Sequence, residues 1–216
     1  MSNTATKKIL SLHLDAEIRN GLKDLRAYTE KIEQFIESQK DKIEECNKNE
    51  VCKAEGESED IMFNIQLRLG YGRHMEIFTK STIISIFVYF EFFLDSFCEY
   101  MHKYDKKLIS PKDIHGSGIC RSKTYLNKVL LINTSNLESE WEELVTLQKI
   151  RNFLVHSNGV VASDDAKTKL QKSIEGVSGV QLEEDHLKIS PTYIKKMLAT
   201  IERFLTKIKS QYFKNI

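Results

Sequence analysis

The sequence predicts an all-α protein: an antiparallel helical bundle with at most a small β-hairpin before the last helix. Three observations predict it. Two prolines, Pro111 and Pro191, and nine glycines are all that punctuate 216 residues, which leaves room for long unbroken helices. Apolar residues recur at helical spacing, early at Ile18, Leu22, Leu25, Ile32, Ile36 and Ile43, and late at Ile194, Leu198, Ile201, Leu205 and Ile208. Boundary signals stand where helices should stop and start, with Asn158-Gly159 as a C-terminal stop and Ser190-Pro191 as a cap and first turn.

Taken in order, the first apolar series keeps a 4-3 heptad register with Thr29 and Gln39 in its polar gaps. It predicts an amphipathic helix from Lys7 to Asn49, about 60 Å long at 1.5 Å per residue. The polar stretch Cys52–Asp60 lets the chain turn back. A second helix follows from Ile61 to Tyr104, with Gly70 and Gly72 as weak points. Its middle, Ile83 to Phe90, is apolar on nearly every side, as expected for a central or partner-shared helix. After a loop over Ile109–Gly118, a short helix is expected at Ser122–Ile132. Ser135 and Glu138 have the spacing of a capping box for a fourth helix reaching Ser157, and Glu138, Glu140, Glu142 and Glu143 suit its positive end. Val160–Gly179 reads as an excursion with one short helix. Val180-Gln181-Leu182 and Leu187-Lys188-Ile189 then form a hairpin around Glu183–His186, before the last helix. One domain is expected over residues 1–216, with residues 1–50 as the long first helix and 61–216 as the bundle.

Charged residues make up 29% of the chain, yet the net charge is +1, which argues against bulk attraction to nucleic acid or a membrane. Local patches differ. Glu30–Asp60 holds eleven acidic and five basic residues, whereas Lys103–Lys128 holds seven basic and two acidic ones. Solvated helix faces account for most such runs, but within the second patch Lys112, Arg121, Lys123 and Lys128 are candidates for holding a phosphate backbone. Cys46, Cys52, Cys98 and Cys120 lack zinc-ligand spacing and are too sparse for a disulfide framework. No signal peptide pattern opens the sequence, and the apolar run Ile83–Leu94 is short for a bilayer span, so the cytoplasm is the expected compartment, without a membrane partner. Glu99 and His102 have a spacing used in di-metal bundles but lack a matching pair, so neither a metal nor another cofactor is expected.

The residues best suited to chemistry lie at the end of the fourth helix. Asn152 and His156 are four apart and share a face, while Arg151 is about 140° round from His156 at 100° per residue. A guanidinium can grip a phosphate in a forked geometry and an imidazole can exchange protons near neutral pH. Arg and His also decorate helix ends simply to satisfy carbonyls, so spacing alone leaves both readings open. Glu91 bears on the choice. It is embedded in Phe90-Glu91-Phe92-Phe93-Leu94, where a carboxylate needs a cation such as Arg151 or else lies on an exposed stripe with Asp95.

The segment Lys149-Ile150-Arg151-Asn152-Phe153-Leu154-Val155-His156-Ser157-Asn158-Gly159 resembles the signature of the HEPN superfamily (higher-eukaryote and prokaryote nucleotide-binding domains). That signature is an Arg, usually followed by a polar residue, and then a His after an interval of four to six residues. Arg151, Asn152 and His156 match it, and the apolar helix with Glu91 is similar to the acid-bearing helix of many members. The resemblance covers roughly Ile61–Ile216. It implies a bundle that dimerises to bring two motifs together across a two-fold axis. It also implies a metal-independent endoribonuclease leaving a 2′,3′-cyclic phosphate, of the kind found among toxins and phage-defence effectors, with an antitoxin or defence protein as a further partner. In that scheme Arg151, Asn152, His156 and Glu91 are the catalytic set. Inactive members keep the fold for binding RNA or protein, which is the alternative reading.

Overall fold

The computed structural model describes residues 3–51 and 58–214. Its helices are α1 (Asn3–Val51), α2 (Ser58–Asp105), α3 (Gly118–Lys128), α4 (Glu138–Ser157), α5 (Asp164–Ile174) and α6 (Pro191–Lys214). One antiparallel hairpin, β1 (Val180–Glu183) with β2 (His186–Ile189), pairs Val180 with Ile189 and Glu183 with His186. With 79% of the chain helical, the fold is an all-α bundle with its only sheet, among the described residues, just before the last helix.

The heptad register explains how α1 docks. Leu14, Ile18, Leu22 and Ile36 are buried, and Leu25 and Ile32 are half-buried on the same stripe. Thr29, in a polar gap of the register, is buried too, because its hydroxyl donates to the Leu25 carbonyl at 2.8 Å and leaves nothing unsatisfied. At Gly21 the ring of Tyr89 from α2 lies where a β-carbon would be, so the two long helices approach closely there. Residues 52–57, within the polar stretch where the sequence lets the chain turn back, lie outside the described residues.

Gly70 and Gly72 do not break α2, which runs through the middle of the bundle against α1, α3, α4 and α6. Ile83, Ile86, Phe87, Phe90, Phe93, Leu94, Phe97 and Met101 are buried. The stretch Gly70–Asp105 does have the length and hydropathy of a membrane span, but half of its most apolar window is buried inside the bundle. Edge-on and tilted ring contacts bind three helices together: Phe90 to Phe204 at 5.9 Å and Trp141 to Phe204 at 5.8 Å. An ion pair from Lys196 to Glu143 at 2.8 Å, joined by the Thr200 hydroxyl at 2.7 Å, clamps α4 to α6.

The two long helices run a few residues past their expected ends, and both ends of α3 and the start of α4 differ from the sequence expectation. The third helix begins at Gly118, not Ser122, because Gly118 at φ 55° turns the chain directly into it. It closes early because Leu131 takes a left-handed conformation at φ 56° and the Ile132 amide donates back to the Leu126 carbonyl at 2.9 Å. The capping box at Ser135 and Glu138 does not form. Asn133 captures both the amide and the hydroxyl of Ser135, residues 135–137 make a 3-10 turn, and α4 starts at Glu138. At the far end α4 stops as expected, with Asn158 left-handed at φ 52° followed by Gly159 at φ 75°.

Candidate functional site

Helices α2 and α4 lie side by side in opposite directions. Arg151 sits over Phe87 and near Glu91, while Asn158 meets Lys80 eleven residues earlier on α2. Such packing turns one face of each helix toward its neighbour and leaves an adjoining face of both open.

Arg151 is held from three sides. Its guanidinium carbon is 5.1 Å from the centre of the buried Phe87 ring, a cation–π contact. Nη1 donates to Oδ1 of Asn152 at 2.9 Å. Nη2 faces Oε2 of Glu91 at 3.9 Å, an ion pair longer than a hydrogen bond. The Arg151 and Glu91 side chains are 26% and 29% exposed, so the charges are partly shielded but still open to solvent. Nε of Arg151 is buried without a hydrogen-bond partner among the described residues.

Glu91 has a second neighbour that the sequence did not single out. A β-carbon at Gly118 would lie 2.8 Å from Glu91 Oε1 and 3.4 Å from Nε2 of Gln148. The carboxylate therefore rests at the start of α3, where the helix dipole favours a negative charge, as well as beside Arg151. Glycine is doubly required there, by the left-handed φ and by this contact.

His156 is exposed in the last turn of α4, on the same side as Asn152. Among the described residues it makes no hydrogen bond with Arg151, Asn152 or Glu91. The fold thus brings Arg151, Asn152, Glu91 and Phe87 together, and leaves His156 free about 7.5 Å further along the helix axis. The helix end that carries it is fixed by Lys80, whose ammonium donates to the Asn158 carbonyl and pairs with Glu76 at 2.5 Å. The hairpin anchors the same segment, since the Leu187 amide donates to the Gly159 carbonyl at 2.9 Å and Val161 to Asp185 at 2.8 Å.

The basic candidates divide. Lys112 and Arg121 border one groove of about 470 Å³ that opens beside Phe92 and Asp95. Lys128, exposed, lies seven residues beyond Arg121 and on the same side of α3. Lys123 is turned away, paired with Glu138 at 2.9 Å and lying 4.6 Å over the Trp141 ring. Among the described residues no three His, Cys, Asp or Glu side chains gather as metal ligands. Comparison with family models, curated proteins and solved structures gives no match.

Proposed function

We propose that this chain is a metal-independent endoribonuclease of the HEPN type. The observation that carries the reading is the division of labour on α4: Arg151 is immobilised by Phe87, Asn152 and Glu91, while His156 on the same helix is free and exposed. A charge that stabilises a transition state must be held still, and a proton-transfer group must be accessible.

In this scheme the 2′-oxygen of RNA attacks the adjacent phosphorus as its proton leaves, and the phosphorus–5′-oxygen bond breaks. A 2′,3′-cyclic phosphate and a 5′-hydroxyl remain. His156 carries one of the two protons involved. Arg151 stabilises the charge on the phosphoryl oxygens, Asn152 helps to place the phosphate, and Glu91 orients Arg151. Because Arg151 and His156 diverge around α4, a second copy meeting this one on the open α2–α4 face supplies a complementary motif. A role as a toxin or phage-defence effector, and an antitoxin or defence partner with it, follow from the family resemblance alone.

A second reading, a non-catalytic module that binds RNA or protein, draws support from the exposed Ile9, Leu12 and Phe35 on α1. The test is cleavage of total RNA in the presence of a chelator, wild type against His156→Ala, with melting temperature measured in parallel. The ribonuclease reading expects cyclic-phosphate ends from the wild type only, and equal melting temperatures, since an exposed helix-end side chain contributes little packing. Equal cleavage by both proteins, or none by the wild type, favours the second reading.

A further inference from the structure

Phe92, Ser96, Tyr100 and Lys103 follow one another along one face of α2. Opposite them stand Pro111 and Lys112 of a second 3-10 turn, Pro111–Asp113, and Arg121 of α3, and together they bound the groove of about 470 Å³. Phe92 is 72% exposed and Tyr100 43%, so two aromatic rings face water about 12 Å apart along the helix axis.

The charges in the groove are sorted by position. Asp95 is occupied, accepting from the Ser122 hydroxyl and pairing with Arg121 at 3.4 Å. Arg121 retains a buried Nε without a partner. Lys103 and Lys112 are exposed and form no ion pair among the described residues. Glu99, half-buried on α2, is left among the rings. Lys103, Lys112 and Arg121 offer cations suited to a phosphate backbone, and the rings and Glu99 offer stacking faces and an acceptor suited to bases.

The groove begins one residue from the candidate catalytic set: Phe92 lines it, and Glu91, the residue before it in α2, faces Arg151. We infer that this groove binds the single-stranded RNA segment flanking the scissile phosphate, with Phe92 and Tyr100 as stacking platforms. The inference rests on the ribonuclease reading for its orientation, though its binding chemistry stands apart from catalysis. It accounts together for the exposed rings, the free lysines and the position one residue from the candidate catalytic set. An acidic peptide would satisfy the lysines but leave the rings and Glu99 unexplained.

The test is fluorescence polarisation of a labelled single-stranded RNA oligonucleotide on the full-length His156→Ala protein, so that substrate persists. Phe92→Ala and Tyr100→Ala are each expected to weaken binding by about tenfold, with Phe92→Trp restoring it. Lys103→Ala and Lys112→Ala are each expected to lower the salt slope by about one. These side chains are exposed, so the melting temperature serves as a folding control. Unchanged affinity in Phe92→Ala and Tyr100→Ala overturns the proposal, as does duplex RNA binding as tightly as single strands, or an acidic peptide displacing the RNA. The two readings fail separately. Loss of cleavage in His156→Ala, with groove variants binding and cleaving normally, removes the groove alone. Weakened RNA binding in groove variants of a protein that never cleaves removes the ribonuclease alone and leaves the groove standing.

Discussion

At the scale of single residues, Arg151 shows how a charge near a core is kept in place without full burial. Phe87 supplies a face, Asn152 an acceptor and Glu91 a countercharge, but the Glu91 contact at 3.9 Å is electrostatic and not a short hydrogen bond. The pair is about a quarter exposed and longer than a hydrogen bond, so solvent screening limits its share of stability to about 1 kcal/mol. Glu91→Ala is accordingly expected to lower the melting temperature slightly and cleavage strongly, because Arg151 loses its orienting charge while keeping Phe87 and Asn152. Glu91→Gln, which keeps the shape and removes the charge, separates the two effects. Thermal melts and single-turnover cleavage of both variants check this, and wild-type cleavage by Glu91→Ala overturns the orienting role. Arg151, Asn152, His156 and Glu91 could be picked from the sequence as candidates because helical spacing places Asn152 and His156 on one face, because Glu91 is conspicuous in an apolar run, and because the segment resembles a known signature. Phe87 was within reach of the same logic, four residues before Glu91 on the same helix face.

At the scale of elements, helix existence was readable wherever a periodic apolar stripe had to be buried, as along α1, α2 and α6. Boundaries failed where one local interaction outcompeted another, as when Asn133 captured Ser135 ahead of the expected cap, or where Leu131 took a left-handed turn that no glycine announces. The contact between α3 and Glu91 was not legible at all, since it depends on the tertiary approach of two helices, and Gly118 read simply as part of a loop. That contact makes Gly118 a positioning element for the site. In Gly118→Ala the new β-carbon meets Glu91 Oε1 and the left-handed φ becomes strained, at a cost of about 1–2 kcal/mol. The strain persists in any background, whereas the contact with the carboxylate does not. Gly118→Ala should therefore cost less stability and less cleavage when made on Glu91→Ala than on wild type, as read from a double-mutant cycle. Strict additivity removes the coupling between α3 and the site.

At the scale of the whole molecule, the nearly all-round apolar middle of α2 has two explanations, an interior helix or one shared with a second copy. Most of it is interior: Ile83, Ile86, Phe87, Phe90 and Phe93 are covered by the chain's own helices. Outward on this stretch stand Phe92, 72% exposed and bordering the groove, and Val88 one turn before it on the same face. Val88 is 47% exposed, and across the helix pair Val155 of α4 is 50% exposed, close in sequence to both Asn152 and His156. A two-fold axis over this face would set the same patch against itself, as a closed dimer requires, and would bring two His156 side chains toward two Arg151 guanidinium groups. The patch is small, so the interface must recruit polar neighbours such as Ser85 and Gln148, and a moderate affinity is expected. Light scattering at micromolar concentration should give twice the chain mass, falling to one chain mass in Val88→Asp/Val155→Asp with the helical circular dichroism unchanged. Cleavage should fall with dimerisation, because one chain alone presents Arg151 and His156 in divergent directions. A wild-type monomer that still cleaves RNA would require both groups to act from the same chain, and His156 would then have to close the gap to Arg151 along a single helix.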